Sequence, residues 1–152
     1  MPVCLARRGS YRLLTGAILV AALTACDDPF SPYWDRGTYD LWSANNRPVP
    51  AVVSEGPAGA FTEVVGGSLT LRRDHSYQLV LDVREVTGGR TYRYTKAFAG
   101  SYENEDRTIW LPYFDAEGSY SRVIVANWRG GRIELVVPRV DGYIGVLCLF
   151  GG

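Results

Sequence analysis

This 152-residue chain offers few side chains that could do covalent or metal chemistry. It has one histidine, His75, and three cysteines, Cys4, Cys26 and Cys148. A catalytic histidine needs a nucleophile and an orienting carboxylate brought close in space. His75 instead lies in Arg73-Asp74-His75-Ser76, the composition of a tight turn. Structural zinc takes about four thiolate, imidazole or carboxylate ligands, more than one histidine and one spare thiol supply. Glu103, Glu105 and Asp106 are clustered oxygen ligands, but without the spacing of a calcium loop, and they read as an acidic hairpin tip. Asp82, Glu85 and Glu134 sit among apolar positions and nominate no pair for general acid–base work. No nucleophile elbow, phosphate loop or dinucleotide fingerprint occurs. The expectation is a non-enzymatic protein with no catalytic residues, no metal and no cofactor.

The N-terminus carries a different kind of chemistry. Arg7, Arg8 and Arg12 precede an apolar stretch, Leu13 to Leu23, and small residues lead to Cys26. A basic segment, a short apolar segment and small residues at a cut describe a secretory signal peptide. Leu13–Leu23 is well short of the roughly 20 apolar residues that span a bilayer. Leu23-Thr24-Ala25-Cys26 resembles the lipobox of bacterial lipoproteins. That resemblance implies cleavage before Cys26, lipidation of its thiol and a cell-envelope location anchored to the inner or outer membrane. Asp27 stands where enteric lipoproteins retained at the inner membrane carry an aspartate, a rule that varies among phyla. The expected organisation is a signal peptide helix over 1–25, a lipidated Cys26 and tether over 26–36, and one domain over 37–152.

The charge balance agrees with an envelope domain rather than a nucleic-acid binder. The whole chain has 16 basic and 16 acidic residues. Without the leader's three arginines, 13 basic residues face 16 acidic ones, a net charge of −3. Nucleic acid would call for a basic stripe. Once Cys4 leaves and Cys26 is acylated, Cys148 has no intramolecular partner. Set in Gly145-Val146-Leu147-Cys148-Leu149-Phe150, it reads as a small buried hydrophobe. Stability must then come from burial and sheet hydrogen bonds.

From Gly37 on, apolar residues recur with period two. Leu69 and Leu71 alternate with Ser68, Thr70 and Arg72; Tyr77, Leu79, Leu81 and Val83 alternate with Gln78, Val80, Asp82 and Arg84; Ile133, Leu135 and Val137 follow suit. That pattern describes strands with one face in a core. Only Val123–Ala126 and Tyr143–Phe150 are continuous apolar runs, the pattern of strands covered on both faces. Turn formers separate the runs at Asn45-Asn46, Arg73-Asp74-His75-Ser76, Gly88-Gly89, Glu103–Asp106, Asp115–Gly118, Gly130-Gly131 and Asp141-Gly142. Tight links force antiparallel pairing. A Gly-Ser/Thr-large step recurs at Gly37, Gly67, Gly100 and Gly118 and reads as a strand-entry device. A meander of this length leaves two open edges unless it closes. The expected fold is all-β, a single antiparallel up-and-down barrel of about eight strands.

Gly37-Thr38-Tyr39-Asp40-Leu41, Asn46-Arg47-Pro48-Val49-Pro50, the Gly67–Leu79 hairpin and Gly100-Ser101-Tyr102 together resemble the lipocalin-like domains of small bacterial lipoproteins over most of 37–150. Tyr39 stands where lipocalins typically carry a tryptophan, and no helix follows the barrel. The resemblance implies a small hydrophobic ligand inside the barrel, with Tyr39, Tyr77, Tyr92 and Tyr94 as candidate lining residues. Tyrosine rings there could equally fill the interior as core. The alternative is a protein-interaction module of the envelope, an assembly factor or hydrolase inhibitor, for which Trp42, Trp110 and Trp128 are the candidate partner surface. A hollow interior favours the ligand, and a filled one with exposed tryptophans favours the partner.

Overall fold

The computed structural model describes residues 36–114, 121–138 and 145–152, which fall in one compact unit. The leader, Cys26 and the tether through residue 35 lie outside the described residues, as do Gly118 and Tyr143.

The strands are β1 (Gly37–Ala44), β2 (Arg47–Pro48), β3 (Ala51–Glu55), β4 (Phe61–Leu71), β5 (Ser76–Thr87), β6 (Arg90–Ser101), β7 (Glu103–Glu105), β8 (Thr108–Phe114), β9 (Ser121–Arg129), β10 (Arg132–Val137) and β11 (Val146–Gly151). A single 3-10 turn, Pro57–Gly59, is the only other regular element among the described residues. The hairpin turns follow from their residue types. Asn45 and Asn46 have φ of 49° and 62°, Gly88 and Gly89 of 53° and 74°, and Gly130 and Gly131 of 57° and 82°. Two consecutive left-handed residues make the turn whose twist matches paired strands, and Asn and Gly tolerate it best.

All pairings are antiparallel, along the path β6-β5-β4-β1-β11-β10-β9-β8-β7, with β2 added on β1 and β3 on β4. The sheet is curled into a half-barrel. Its two path ends, β6 and β7, are consecutive in the chain and separated by Tyr102 alone. Near this junction β6 lies against β8. The Tyr77 hydroxyl donates to the Pro112 carbonyl at 2.6 Å, and Phe98 meets Tyr113 edge-on at 5.1 Å. The Tyr102 N–H donates to the His75 carbonyl at 2.7 Å. Among the described residues no ladder joins β6 to β8, so the expected closed barrel is seen as a curled sheet sealed at this seam by side chains.

Two glycines explain how the sheet bends. Neither Gly67 nor Gly100 starts a strand, contrary to the strand-entry expectation. Gly67 lies within β4, just past a register shift between Val64 and Gly66. A β-carbon there would collide with the Val80 carbonyl and meet Leu81 at 2.9 Å. At Gly100 it would come within 2.9 Å of the Pro112 carbonyl and 3.2 Å of the Tyr77 ring. Both permit a close approach, one at the bulge and one at the seam.

The inner face is packed with large side chains. Leu69, Leu79, Leu81, Ile109, Leu111, Ile133 and Phe150 are completely buried. With Leu41, Val64, Ile124, Leu135 and Val137 they belong to one cluster, these members coming from β1, β4, β5 and β8 to β11. Burying each such side chain stabilises by about 1.5–3 kcal/mol, so this cluster supplies the stability that no disulfide provides.

Candidate functional site

The four tyrosines nominated for a ligand cavity have separate fates. Tyr39 and Tyr77 are core residues. Tyr39 packs edge-on to Trp128 with ring centres 5.5 Å apart, and its hydroxyl donates to the Arg36 carbonyl at 3.4 Å. Tyr77 is fixed at the seam by its bond to Pro112, and burial pushes its hydroxyl up to about 12. Tyr92 and Tyr94 lie on β6, opposite Glu85 and Val83, on the face that carries Phe98 towards the core. Tyr94 is half-buried, and its hydroxyl is buried without a hydrogen-bond partner among the described residues. Tyr92 is 47 % exposed. The structure therefore pairs Tyr92 with Tyr94 along one strand and sets Tyr39 and Tyr77 in the packed interior. Sequence parity put all four on inner faces; it did not show that β6 runs on past the core.

The three tryptophans do not form one patch. Trp42 on β1 is 52 % exposed, crosses Gly151 at 3.2 Å from where its β-carbon would stand, and stacks on the Arg132 guanidinium at 4.9 Å. Trp110 on β8 is half-buried and pairs with Val125. Trp128 turns inward instead of outward, because it continues the Ile124, Ala126 parity of β9 onto the core side, where it meets Tyr39.

What the structure brings together in their place is an apolar outer face. Val125 pairs with Trp110 and Val123 with Pro112, across β8 and β9. Val136 stands one step past the Leu135–Ala126 pair, beside Val125, and pairs in turn with Leu147 on β11. Val123, Val125 and Val136 are 50 %, 48 % and 51 % exposed, and Phe114 is 73 % exposed. Leu147 and Leu149 are half-buried. The continuous apolar runs in β9 and β11 were expected to mean burial on both faces. That expectation is corrected for β9, whose Val123 and Val125 face solvent, whereas Leu147 and Leu149 of β11 are half-buried. Scattered apolar residues on a surface are ordinary, whereas these adjoin one another across four strands.

The remaining chemical candidates are structural. His75 is exposed in the β4–β5 turn with φ of 60°, and its ring lies 5.4 Å from that of Tyr102. Asp74 accepts from the Ser76 N–H at 3.0 Å and hydroxyl at 2.7 Å, bonds that hold its carboxyl below the usual range and close the turn. Cys148 is completely buried, and burial pushes its thiol up to about 12, the opposite of a reactive cysteine. On the other side of the sheet Arg84 meets Glu63 at 2.6 Å and lies over the Phe61 ring. No cluster of three metal-ligating side chains occurs among the described residues, and no helix among them is long and apolar enough to cross a membrane.

The chain matches no protein-family model, and neither a curated protein nor a solved structure is similar to it.

Proposed function

We propose that this chain is a lipid-anchored, non-enzymatic cell-envelope protein whose domain acts as a protein-interaction module. The observation that carries the reading is the apolar outer face of β8 to β11, set on a sheet whose inner side is filled by its own leucines, isoleucines and Phe150. An inner face crowded with large buried side chains favours a packed core over a ligand container, while exposed adjoining valines are the kind of surface that protein contacts bury. The lipobox-like step at Cys26 supplies the anchor in this reading, and ten or so tether residues, extending at most about 35 Å, hold the domain near the bilayer. In the same reading β6 and β7 count as one strand bent at Tyr102, which makes the fold an eight-stranded up-and-down, lipocalin-like barrel.

Two measurements test the two halves of this proposal. Cys26→Ser is expected to leave an uncleaved, unlipidated precursor, read by the mass of the membrane-associated protein; normal processing would remove the anchor. A photo-crosslinking residue at Val125 or Val136, placed in cells that make the full chain, is expected to give a discrete protein adduct. The same group at outward-facing Thr70 on β4 should give none. The interaction reading would be overturned by native mass spectrometry of the full chain in detergent showing a small molecule that leaves on denaturation, together with no Val125-specific adduct.

A further inference from the structure

The second feature without an internal role is the edge formed by the first two-thirds of β6. Arg90–Ala97 has β5 on one side and, among the described residues, no ladder partner on the other. In any strand, alternate residues turn their N–H and C=O groups to each side, so this edge presents unpaired ladder groups over about 27 Å, at ~3.4 Å per residue. It contains no proline, the usual means of blunting an edge. Its charges have one sign: Arg90, Arg93 and Lys96 lie on it and no carboxylate does, the nearest being Asp82, engaged by the Thr95 hydroxyl at 3.0 Å, and Glu85 opposite Tyr92. Arg90 and Arg93 are exposed, and neither enters an ion pair among the described residues. Beside the edge lies an open concavity of about 340 Å³ lined by Val65, Asp82, Val83, Arg93, Tyr94 and Thr95.

We propose that Arg90–Ala97 of β6 is a docking edge for an extended acidic segment of a partner protein, which adds to the sheet as a further strand. Strand addition draws its affinity from main-chain hydrogen bonds and its selectivity from pockets that take alternate side chains. Here the edge supplies the first, and the concavity lined by Val65, Val83, Arg93 and Thr95 supplies the second. The cations set the sign: a basic or neutral apolar strand meets Arg90 and Arg93 unfavourably, whereas carboxylates are attracted and oriented. The edge is separate from the outer face of β8 to β11, so either proposal can fail alone.

The test uses the full chain in neutral detergent and a fluorescent octapeptide alternating glutamate and valine, followed by anisotropy at low salt. Saturable binding is expected, with new amide-exchange protection confined to residues 90–97. Arg90→Glu combined with Arg93→Glu is expected to weaken it on the order of tenfold or more. Val125→Lys, on the other face, should leave it unchanged. The peptide with every amide N-methylated keeps its charge but has no N–H to donate to either edge, and it should not bind. Equal binding of the methylated peptide, equal binding of a lysine–valine counterpart, or protection located elsewhere would each overturn the proposal. So would absence of peptide binding alongside Arg90- and Arg93-dependent binding to vesicles of anionic lipid, which would make the edge a membrane contact.

Discussion

Phe150→Ala is expected to destabilise the domain by about 3–5 kcal/mol, the usual range for removing a fully buried aromatic ring. Phe150 has no exposed surface, and it pairs with Leu41 on β1 on one side and Ile133 on β10 on the other. β11 is the strand through which the amino-terminal strands β1, β4, β5 and β6 are joined to the carboxy-terminal strands β7 to β10 in one sheet. Truncating its central ring opens a void between the halves, where neighbouring backbone is held by ladders and can collapse only in part. Domains of this size are stable by about 5–15 kcal/mol, so the variant should show a clearly lowered urea midpoint at an unchanged denaturant slope. Val136→Ala, on the exposed side of the adjacent strand, should move stability by no more than ~0.5 kcal/mol. A loss below about 1 kcal/mol for Phe150→Ala would mean that the interior is not packed as described.

Alkaline pH is the second strong lever. Tyr77 has its hydroxyl raised from 10 to about 12, and Cys148 its thiol from 9 to about 12, both through burial. Each is neutral when protonated, so a raised value in the folded state favours folding while the proton is on. This contribution is complete below the unfolded-state values and is lost as pH rises through about 9 towards 12. The direction follows from burial of both groups, with the wholly enclosed Cys148 thiol the larger contributor. Stability measured by urea denaturation is expected to be level through neutral pH and to fall steeply above about pH 9. Tyr77→Phe leaves the Pro112 carbonyl without its donor, at about 1–3 kcal/mol, yet together with Cys148→Ala it should flatten the alkaline decline. A decline in the double variant parallel to that of the wild type would assign it to other groups.

The local chain determined a good deal by itself. The alternation Leu79, Leu81, Val83 put one set of side chains inside, because successive strand residues point to opposite faces. The pairs Asn45-Asn46, Gly88-Gly89 and Gly130-Gly131 specified tight turns, because few residues tolerate two left-handed conformations in a row, and those turns specified antiparallel neighbours. The setting of Cys148 specified a buried thiol. The parity of Ile124, Ala126 and Trp128 also held the answer to where Trp128 goes, although it was a candidate for the partner surface.

Tertiary structure alone decided the rest. Period two separates two faces of a strand, but it does not say whether the second face meets solvent or another layer. The outer side of Val123 and Val125 was settled by the absence of a layer over β8 to β11 among the described residues. Nor does a local pattern say how far one strand outruns its neighbours. Tyr77 became a seam residue and Tyr92 an exposed one because β8 abuts β6 near Phe98 and Gly100, a contact that no single strand's pattern displays. How closely the inner face of a curled sheet packs depends on the summed volume of inward side chains against its curvature, and here buried leucine, isoleucine and phenylalanine come from eight strands. Such quantities belong to the assembled sheet, because each strand's inner face is completed by residues that no local window contains.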